Sequence, residues 1–362
     1  MKILVISNYT SIVTTRPEAE IFIGLKKKGH DITVMTYPDA AYTQRFEENG
    51  IRVIPFHPEK KRDSKSIAFI RKELVEGNYD ILQMYNSLAY LNGIPAAKGL
   101  DVKVVLYRGY TGNIHWYDPF IYFKYYNSRV DGVVCNVEAI QELFEKNYFG
   151  NRIKFQAIHK GHDTSWYQVD ESVDLSEYGV KEDELSFICT ANDRAMKGLK
   201  YLLKATHYLP KEAKMHLFLA GNNMDRPEFL KLIEESPIKD RIHILGFRKD
   251  ILEFESACDV FVLASLYGEA ITKAVIESMS LGLAPLITDI PGNIPLVESG
   301  KSGIVVEKAN ARALSEGMKA YLDKPELVKT YGEAAKNRIQ TTLNTKNTVE
   351  EYEKFYHELL QA

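Results

Sequence analysis

Glu269 and Glu277, separated by seven residues in EAITKAVIES, are the carboxylates of this sequence whose placement most suggests chemistry. If a helix begins near Thr272, Glu277 lies one to two turns inside it and Glu269 lies in the loop before it. Such a loop and helix start present free amides and a positive dipole end, which suit phosphate. A carboxylate in the same loop accepts hydrogen bonds from sugar hydroxyls. The spacing alone is commonplace and better suits a helix cap and surface charge. Other chemistries lack their signatures. The first strand runs into NYTSIVTTRP with no GxGxxG, and no GxSxG occurs. Asp-x-Asp and HExxH are also absent and the nine histidines are scattered, so neither a metal nor a cofactor is expected.

These residues need a scaffold, and the chain writes one twice. KILVISN (2–8), DITVMTY (31–37), IRVIPF (51–56), DILQMY (80–85), VKVVLYR (102–108), GVVCN (132–136) and RIKFQAI (152–158) read as strands, mostly separated by helix-length segments. Strand–helix alternation predicts a parallel sheet covered on both faces. Thr15-Arg16-Pro17-Glu18 predicts a helix start, with Thr15 as cap, Pro17 in the first turn and Glu18 closing a capping box. After a polar linker around 160–179 the pattern restarts at LSFICTAN (185–192), MHLFLAG (215–221), IHILGF (242–247), DVFVLAS (259–265) and APLITD (284–289). The last helix is expected at about 347–361. In such sheets ligands bind beyond the carboxyl ends of the strands, which suggests a cleft between two domains.

Length and composition agree: 362 residues suit two domains, and 45% apolar with 26% charged residues is ordinary for a globular chain. Net charge is −3, so a general nucleic-acid binder is not expected. Residues 1–165 hold 22 Lys and Arg against 18 Asp and Glu, whereas 166–362 hold 24 against 31. The positive excess gathers in GLKKKGH and PEKKRDSKS, as solvated surface or as attraction for an anionic substrate or lipid headgroups. Cys135, Cys189 and Cys258 each sit in an apolar run and read as buried, inert thiols. The start MKILVISN is not a signal peptide and no apolar run approaches 18 residues, so a cytoplasmic protein is expected. The aromatic segment 109–129, with Tyr110, Trp116, Tyr117, Phe120, Tyr122, Phe123, Tyr125 and Tyr126 interleaved with Lys124 and Arg129, suits a helix packed on its sheet, stacking on sugars, or a membrane interface.

The string from 242 to 306 adds a resemblance. ILGF…D…ACDVFVLAS, then EAITKAVIESMSLGLAP, then TDIPGN…VESGKSGIVV resembles the retaining GT-B glycosyltransferases of family 4, in order and spacing. The segment TANDRAMKGLKYLLKA matches the same family. The resemblance implies an α/β GT-B fold, two Rossmann-like parallel-sheet domains facing a central cleft. It implies an acceptor-side domain at 1–165, a donor domain at 166–345 and a helix at 346–362 returning to the first domain. Arg194 and Lys197 resemble the cations that hold the donor diphosphate, where they would offset charge on the leaving group. Glu269 resembles the carboxylate on the donor sugar and Glu277 the acceptor of ribose hydroxyls. Gly246, Phe247 and Arg248 stand where family members pass the nucleobase, and Ala270, Ile271 and Thr272 belong to the donor loop.

The first half departs from the family pattern. TSIVTTRPE replaces a Gly-Gly loop, which makes Thr15 and Arg16 acceptor-side candidates. Tyr85 stands near a usual His, Arg108-Gly109 replaces His-Gly, KGHD with Lys160 and His162 replaces Asn-Gly-(Val/Ile)-Asp, and Thr272 replaces a Gly. These changes point to an unusual acceptor, with Tyr85, Arg108 and His162 as its candidate contacts. The implied function is metal-independent, retaining transfer of a sugar from a UDP- or GDP-sugar to a glycan or lipid-linked saccharide. Peripheral membrane association through the first domain would accompany a lipid-linked acceptor. Two other readings remain: a nucleotide-sugar epimerase or synthase on the same fold, and a non-catalytic partner subunit.

Overall fold

Short aliphatic and β-branched runs, each followed by a helix-length segment, build parallel sheets here because a buried strand needs apolar cover on both faces. The computed structural model describes residues 1–362 apart from Asn113 and Ala270. Its contacts divide the chain into two units, Met1–Gly161 with Asn344–Ala362, and His162–Leu343.

The first unit runs β1 (Lys2–Ile6), α1 (Ile12–Lys27), β2 (Asp31–Thr36), α2 (Thr43–Glu48), β3 (Arg52–Pro55), α3 (Ser64–Gly77), β4 (Ile81–Met84), α4 (Ser87–Ala96), β5 (Lys103–Arg108), β6 (Gly132–Cys135), α5 (Glu138–Asn147) and β7 (Lys154–Ala157). Its seven strands pair in parallel in the order β3-β2-β1-β4-β5-β6-β7. Every residue of β4 and β6 is buried. The start of α1 differs from the expectation. Ser11 is the cap, its hydroxyl 3.5 Å from the Thr14 amide, and Thr15 lies inside the helix with its hydroxyl donated back to the Ser11 carbonyl at 2.5 Å. The Thr-x-x-Glu box matched locally, but an equally good cap stands four residues earlier, and Pro17 is accommodated in the second turn.

The second unit runs β8 (Leu185–Thr190), α6 (Leu199–Thr206), β9 (Met215–Ala220), α7 (Pro227–Glu234), β10 (Ile242–Gly246), α8 (Ile251–Ser256), β11 (Val260–Leu263), α9 (Lys273–Leu281), β12 (Ala284–Thr288), β13 (Ile304–Val306), α10 (Ala311–Asp323) and α11 (Glu326–Thr341). The six strands are parallel in the order β10-β9-β8-β11-β12-β13. The three-residue β13 was not among the expected strands. Cys135, Cys189 and Cys258 are all buried, and burial pushes the Cys189 thiol up to about 12.

The last helix, α12 (Thr345–Gln361), packs on α1 and closes the core of the first unit with Val349, Tyr352, Phe355 and Tyr356. Close approach of the two helices requires glycine: a Cβ on Gly24 would lie 2.4 Å from a Val349 methyl. Segment 109–129 does not form a helix on the sheet. Asp118 caps a single 3-10 turn over Pro119–Phe123, its carboxylate accepting from the Phe120 amide at 2.9 Å, and the chain then turns. Ile121, Tyr125 and Tyr126 are buried, while Tyr110, Trp116, Tyr117, Phe120, Tyr122 and Phe123 are exposed. No helix among the described residues is long and apolar enough to cross a membrane.

Candidate active site

In the second sheet the loops that follow the adjacent strands β8 and β11 meet. The Leu266 amide donates to the Met196 carbonyl at 2.7 Å, which stitches one loop to the other. Gly198, at φ +65°, makes the approach possible, since a Cβ there would stand 2.0 Å from the Ala264 carbonyl oxygen. This stitching brings Lys197 Nζ to 2.5 Å from Glu269 Oε1, with both side chains largely buried (17% and 14% exposed). The contact is an ion pair by distance but lacks the alignment of a hydrogen bond, so the buried Oε1 has no aligned donor. Among the described residues no other donor reaches Oε1, so Lys197 alone holds it.

Downstream, α9 begins at Lys273 with Thr272 at its cap position, but the Thr272 side chain does not cap. Thr272 is 3% exposed and its hydroxyl instead donates to Asn293 Oδ1 at 3.0 Å, and Asn293 Nδ2 donates to the Thr288 carbonyl at 3.2 Å. The first-turn amides of α9 therefore have no side-chain partner from Thr272, which preserves the positive helix end beside Glu269. Glu277 lies one turn further on and pairs with Lys273. Ile271 packs half-buried against the core, and Ala270 lies outside the described residues.

The remaining donor-side candidates are dispersed. Arg194 is exposed at the start of the 3-10 turn Ala195–Lys197 and lines a cavity of about 660 Å³ with Tyr201, Arg226 and Phe229. Gly246, at φ +67°, ends β10 at a register shift and accepts from the Gly221 amide at 2.8 Å. Phe247 is exposed. Arg248 is held by Asp250, Nε to Oδ1 at 3.0 Å, with its guanidinium 5.0 Å over the Phe254 ring.

One residue near this site carried no sequence signal. Glu255, on α8, is 1% exposed, accepts from the Thr190 hydroxyl at 2.6 Å and leaves Oε2 buried without a partner. Burial pushes its carboxyl up to about 8; the Thr190 hydrogen bond and Lys273 act downward and the Glu277 charge upward.

In the first unit the candidates are tied into the fold. Arg108, at the end of β5, is 5% exposed; its Nε donates to the Tyr110 carbonyl at 2.9 Å, and it donates again to the Gly112 carbonyl. The Tyr85 hydroxyl lies 3.1 Å from that of Tyr352 on α12. Thr15 and Arg16 sit half-buried on α1. His162 falls in the second unit, 4% exposed, with Nδ1 at 2.5 Å from the Tyr167 hydroxyl. Sequence reasoning did not find the pair between Lys160 Nζ and Glu18 Oε2, 3.0 Å apart, with Lys160 also 4.0 Å over the Tyr107 ring.

Comparison with known proteins bears on the family and the fold. Residues 171–338 match the family model "Glycosyl transferases group 1", and residues 19–166 match "Glycosyltransferase Family 4". The chain is 24% identical over 94% of its length, and 94% of the relative's, to an N,N'-diacetylbacillosaminyl-diphospho-undecaprenol alpha-1,3-N-acetylgalactosaminyltransferase of Campylobacter jejuni. It is 26% identical to the N-acetyl-alpha-D-glucosaminyl L-malate synthase of Bacillus anthracis over 51% of its own length, spanning 48% of that protein. A solved glycosyltransferase from Rickettsia africae superposes with a TM-score of 0.80 at 19% identity, covering 99% of this chain and 98% of the other. HepE from Anabaena, solved in complex with UDP, superposes at 0.77 and 18% identity, covering 99% and 100%. Two sheets of Rossmann-like topology, each matched by one of the two family models, make this chain a member of the GT-B glycosyltransferases, with a family 4 first half and a group 1 second half.

Proposed function

We propose that the chain transfers a sugar from a nucleotide-diphosphate sugar, UDP- or GDP-linked, to a glycan or lipid-linked saccharide, with retention of configuration and without a divalent ion in the transfer. The observation that carries this reading is the Lys197–Glu269 pair beside the open start of α9. In it, Lys197 with the α9 amides faces the departing diphosphate, and Arg194 supplies the second cation. Fixed cations and amides aimed at developing charge do the work a metal does elsewhere, because they need no reorganisation during reaction. Glu269, its Oε1 without an aligned donor, accepts from the donor sugar, and Glu277 accepts from the ribose after exchanging its Lys273 contact. Gly246, Phe247 and Arg248 border the base. The leaving diphosphate takes the proton of the incoming hydroxyl on the same face, which retains configuration.

A lipid-linked acceptor suits the first unit. Trp116, Phe120 and Phe123 are exposed, and the Arg62 guanidinium lies 4.4 Å over the Phe123 ring. Exposed aromatics among cations suit the surface of an anionic bilayer, which places the work at the cytoplasmic face of a membrane in this reading. The named functions of the Campylobacter relative, on a diphospho-undecaprenol substrate, and the UDP bound by HepE support the same choice of substrates.

Thermal unfolding with UDP, GDP, ADP and dTDP tests the donor site. A nucleotide at about 100 times its Kd adds roughly 2.7 kcal/mol to a native state that alone binds it. One nucleotide is expected to raise the midpoint in the wild-type chain and not in Arg194→Ala/Lys197→Ala. No shift with any nucleotide at millimolar concentration would overturn the reading in favour of a non-catalytic partner. Turnover of donor without acceptor would favour an epimerase.

A further inference from the structure

Within the first unit, the turn between α1 and β2 meets α12 through three potential metal ligands. His30 lies in that turn, and Glu353 and His357 stand four residues apart on one face of α12. One ligand atom from each of the three lies within 4.8 Å of the others. His30 Nε2 is 2.8 Å from Glu353 Oε1, and the imidazoles of His30 and His357 meet edge-on, at 61° with centroids 6.2 Å apart. His30 and Glu353 are mostly covered, at 10% and 23% exposed, while His357 is exposed and leaves the cluster open to solvent.

We propose that His30, Glu353 and His357 form a site for one divalent transition-metal ion of the zinc type, which fastens α12 to the first unit. Two imidazoles and one carboxylate are borderline ligands that suit Zn2+, with water completing a tetrahedral shell. Ligand atoms about 2.0–2.2 Å from one ion lie within the mutual range seen here after small side-chain rotations. Sequence spacing does not reveal the site, because His30 and Glu353 are 323 residues apart and meet only when α12 docks on α1. The ion is structural and takes no part in sugar transfer, so this proposal stands apart from the donor-site reading.

A built-in competitor makes the site testable in both directions. Lys28 Nζ lies 2.5 Å from Glu353 Oε2 and occupies the carboxylate with its own charge. A dication has to work against that ammonium, so Lys28→Met is expected to strengthen metal binding. His357→Ala removes a ligand that is exposed, with little effect on folding.

The experiment is titration of the purified full chain with ZnCl2 after EDTA treatment and desalting, followed by calorimetry and by thermal unfolding. The expected result is one Zn2+ per chain with a saturable rise in Tm, weakened by about 10–100-fold or more in His357→Ala and tightened in Lys28→Met. Circular dichroism of each variant checks that the fold is intact. Absence of binding by the wild-type chain, or a Tm rise that persists undiminished in His357→Ala, would overturn the proposal. Weaker binding by Lys28→Met than by the wild type would overturn the assignment of Glu353 as a ligand.

Discussion

The two sheet units share an architecture but set their buried charges in different surroundings. In the second unit, the loops after β8 and β11 leave Glu269 Oε1 buried without an aligned donor and the first turn of α9 without a side-chain cap. In the first unit, the corresponding sheet edge uses its charges on itself. Arg108 folds back on the Tyr110 and Gly112 carbonyls, and Lys160 is committed to Glu18 and the Tyr107 ring. Each unit thus holds a buried Lys–Glu pair with one carboxylate oxygen, Glu18 Oε1 or Glu269 Oε1, outside any hydrogen bond among the described residues, and the difference lies in the uncapped start of α9 that follows the second pair. In the proposed function the second unit's pair serves the donor, while the first unit's pair braces its sheet.

Four substitutions would break or sharpen that contrast. Lys160→Met leaves the Glu18 carboxylate buried and uncompensated, and is expected to cost about 3–5 kcal/mol in a urea melt. Full stability with lost transfer would instead make Lys160 part of the reaction. Glu269→Gln keeps the shape but removes the charge facing the sugar; kcat is expected to fall roughly 10²–10³-fold with Tm little changed. A large loss of stability with kcat retained would place Glu269 among the braces.

The third concerns Glu255. Its folded carboxyl is pushed up to about 8 from an ordinary value of 4.5, so the folded state holds a proton that the unfolded chain releases. Stability is therefore expected to fall as pH rises from about 4.5 to 8 and to level off above, by an amount on the order of a few kcal/mol. Glu255→Gln should flatten that part of the curve and be the more stable protein at pH 8–9. Urea midpoints at pH 6 and 9 for both proteins decide it, and parallel curves would refute the buried-proton account. The smallest effect is expected from Arg248→Ala. Its Asp250 partner is 46% exposed, so loss of the pair should cost less than about 1 kcal/mol, while any change in nucleotide affinity would report contact with the base.

Much of the scaffold was legible because the physics is local. Runs such as ILVI and VVLY have no stable place except a covered parallel strand, and the restart at Leu185 announced the second sheet. Where two local solutions competed, the reading failed: Ser11 and Thr15 are both acceptable caps, and only the whole helix selects Ser11. The exposed aromatics of 109–129 were ambiguous for a similar reason, since apolar content does not say which face is covered. At the site, the helix start near Thr272 followed from local pattern. The meeting of Lys197 with Glu269 did not, because it depends on Met196 and Leu266 joining two loops through the sheet. Glu255 looks like any glutamate on a short amphipathic helix until its burial is seen.

The return of α12 to the first unit has a consequence for synthesis. Val349, Tyr352, Phe355 and Tyr356 complete a core whose other members begin at Ile3, so the first half leaves the ribosome with one wall of its core absent. His162–Leu343 is continuous and finishes emerging before that wall does. At roughly 5–20 residues per second, the early-made sheet waits on the order of tens of seconds for its last helix. A segment translated early is thus sealed late, and through that interval the surface of α1 around Gly24 lacks the cover that Val349 gives it.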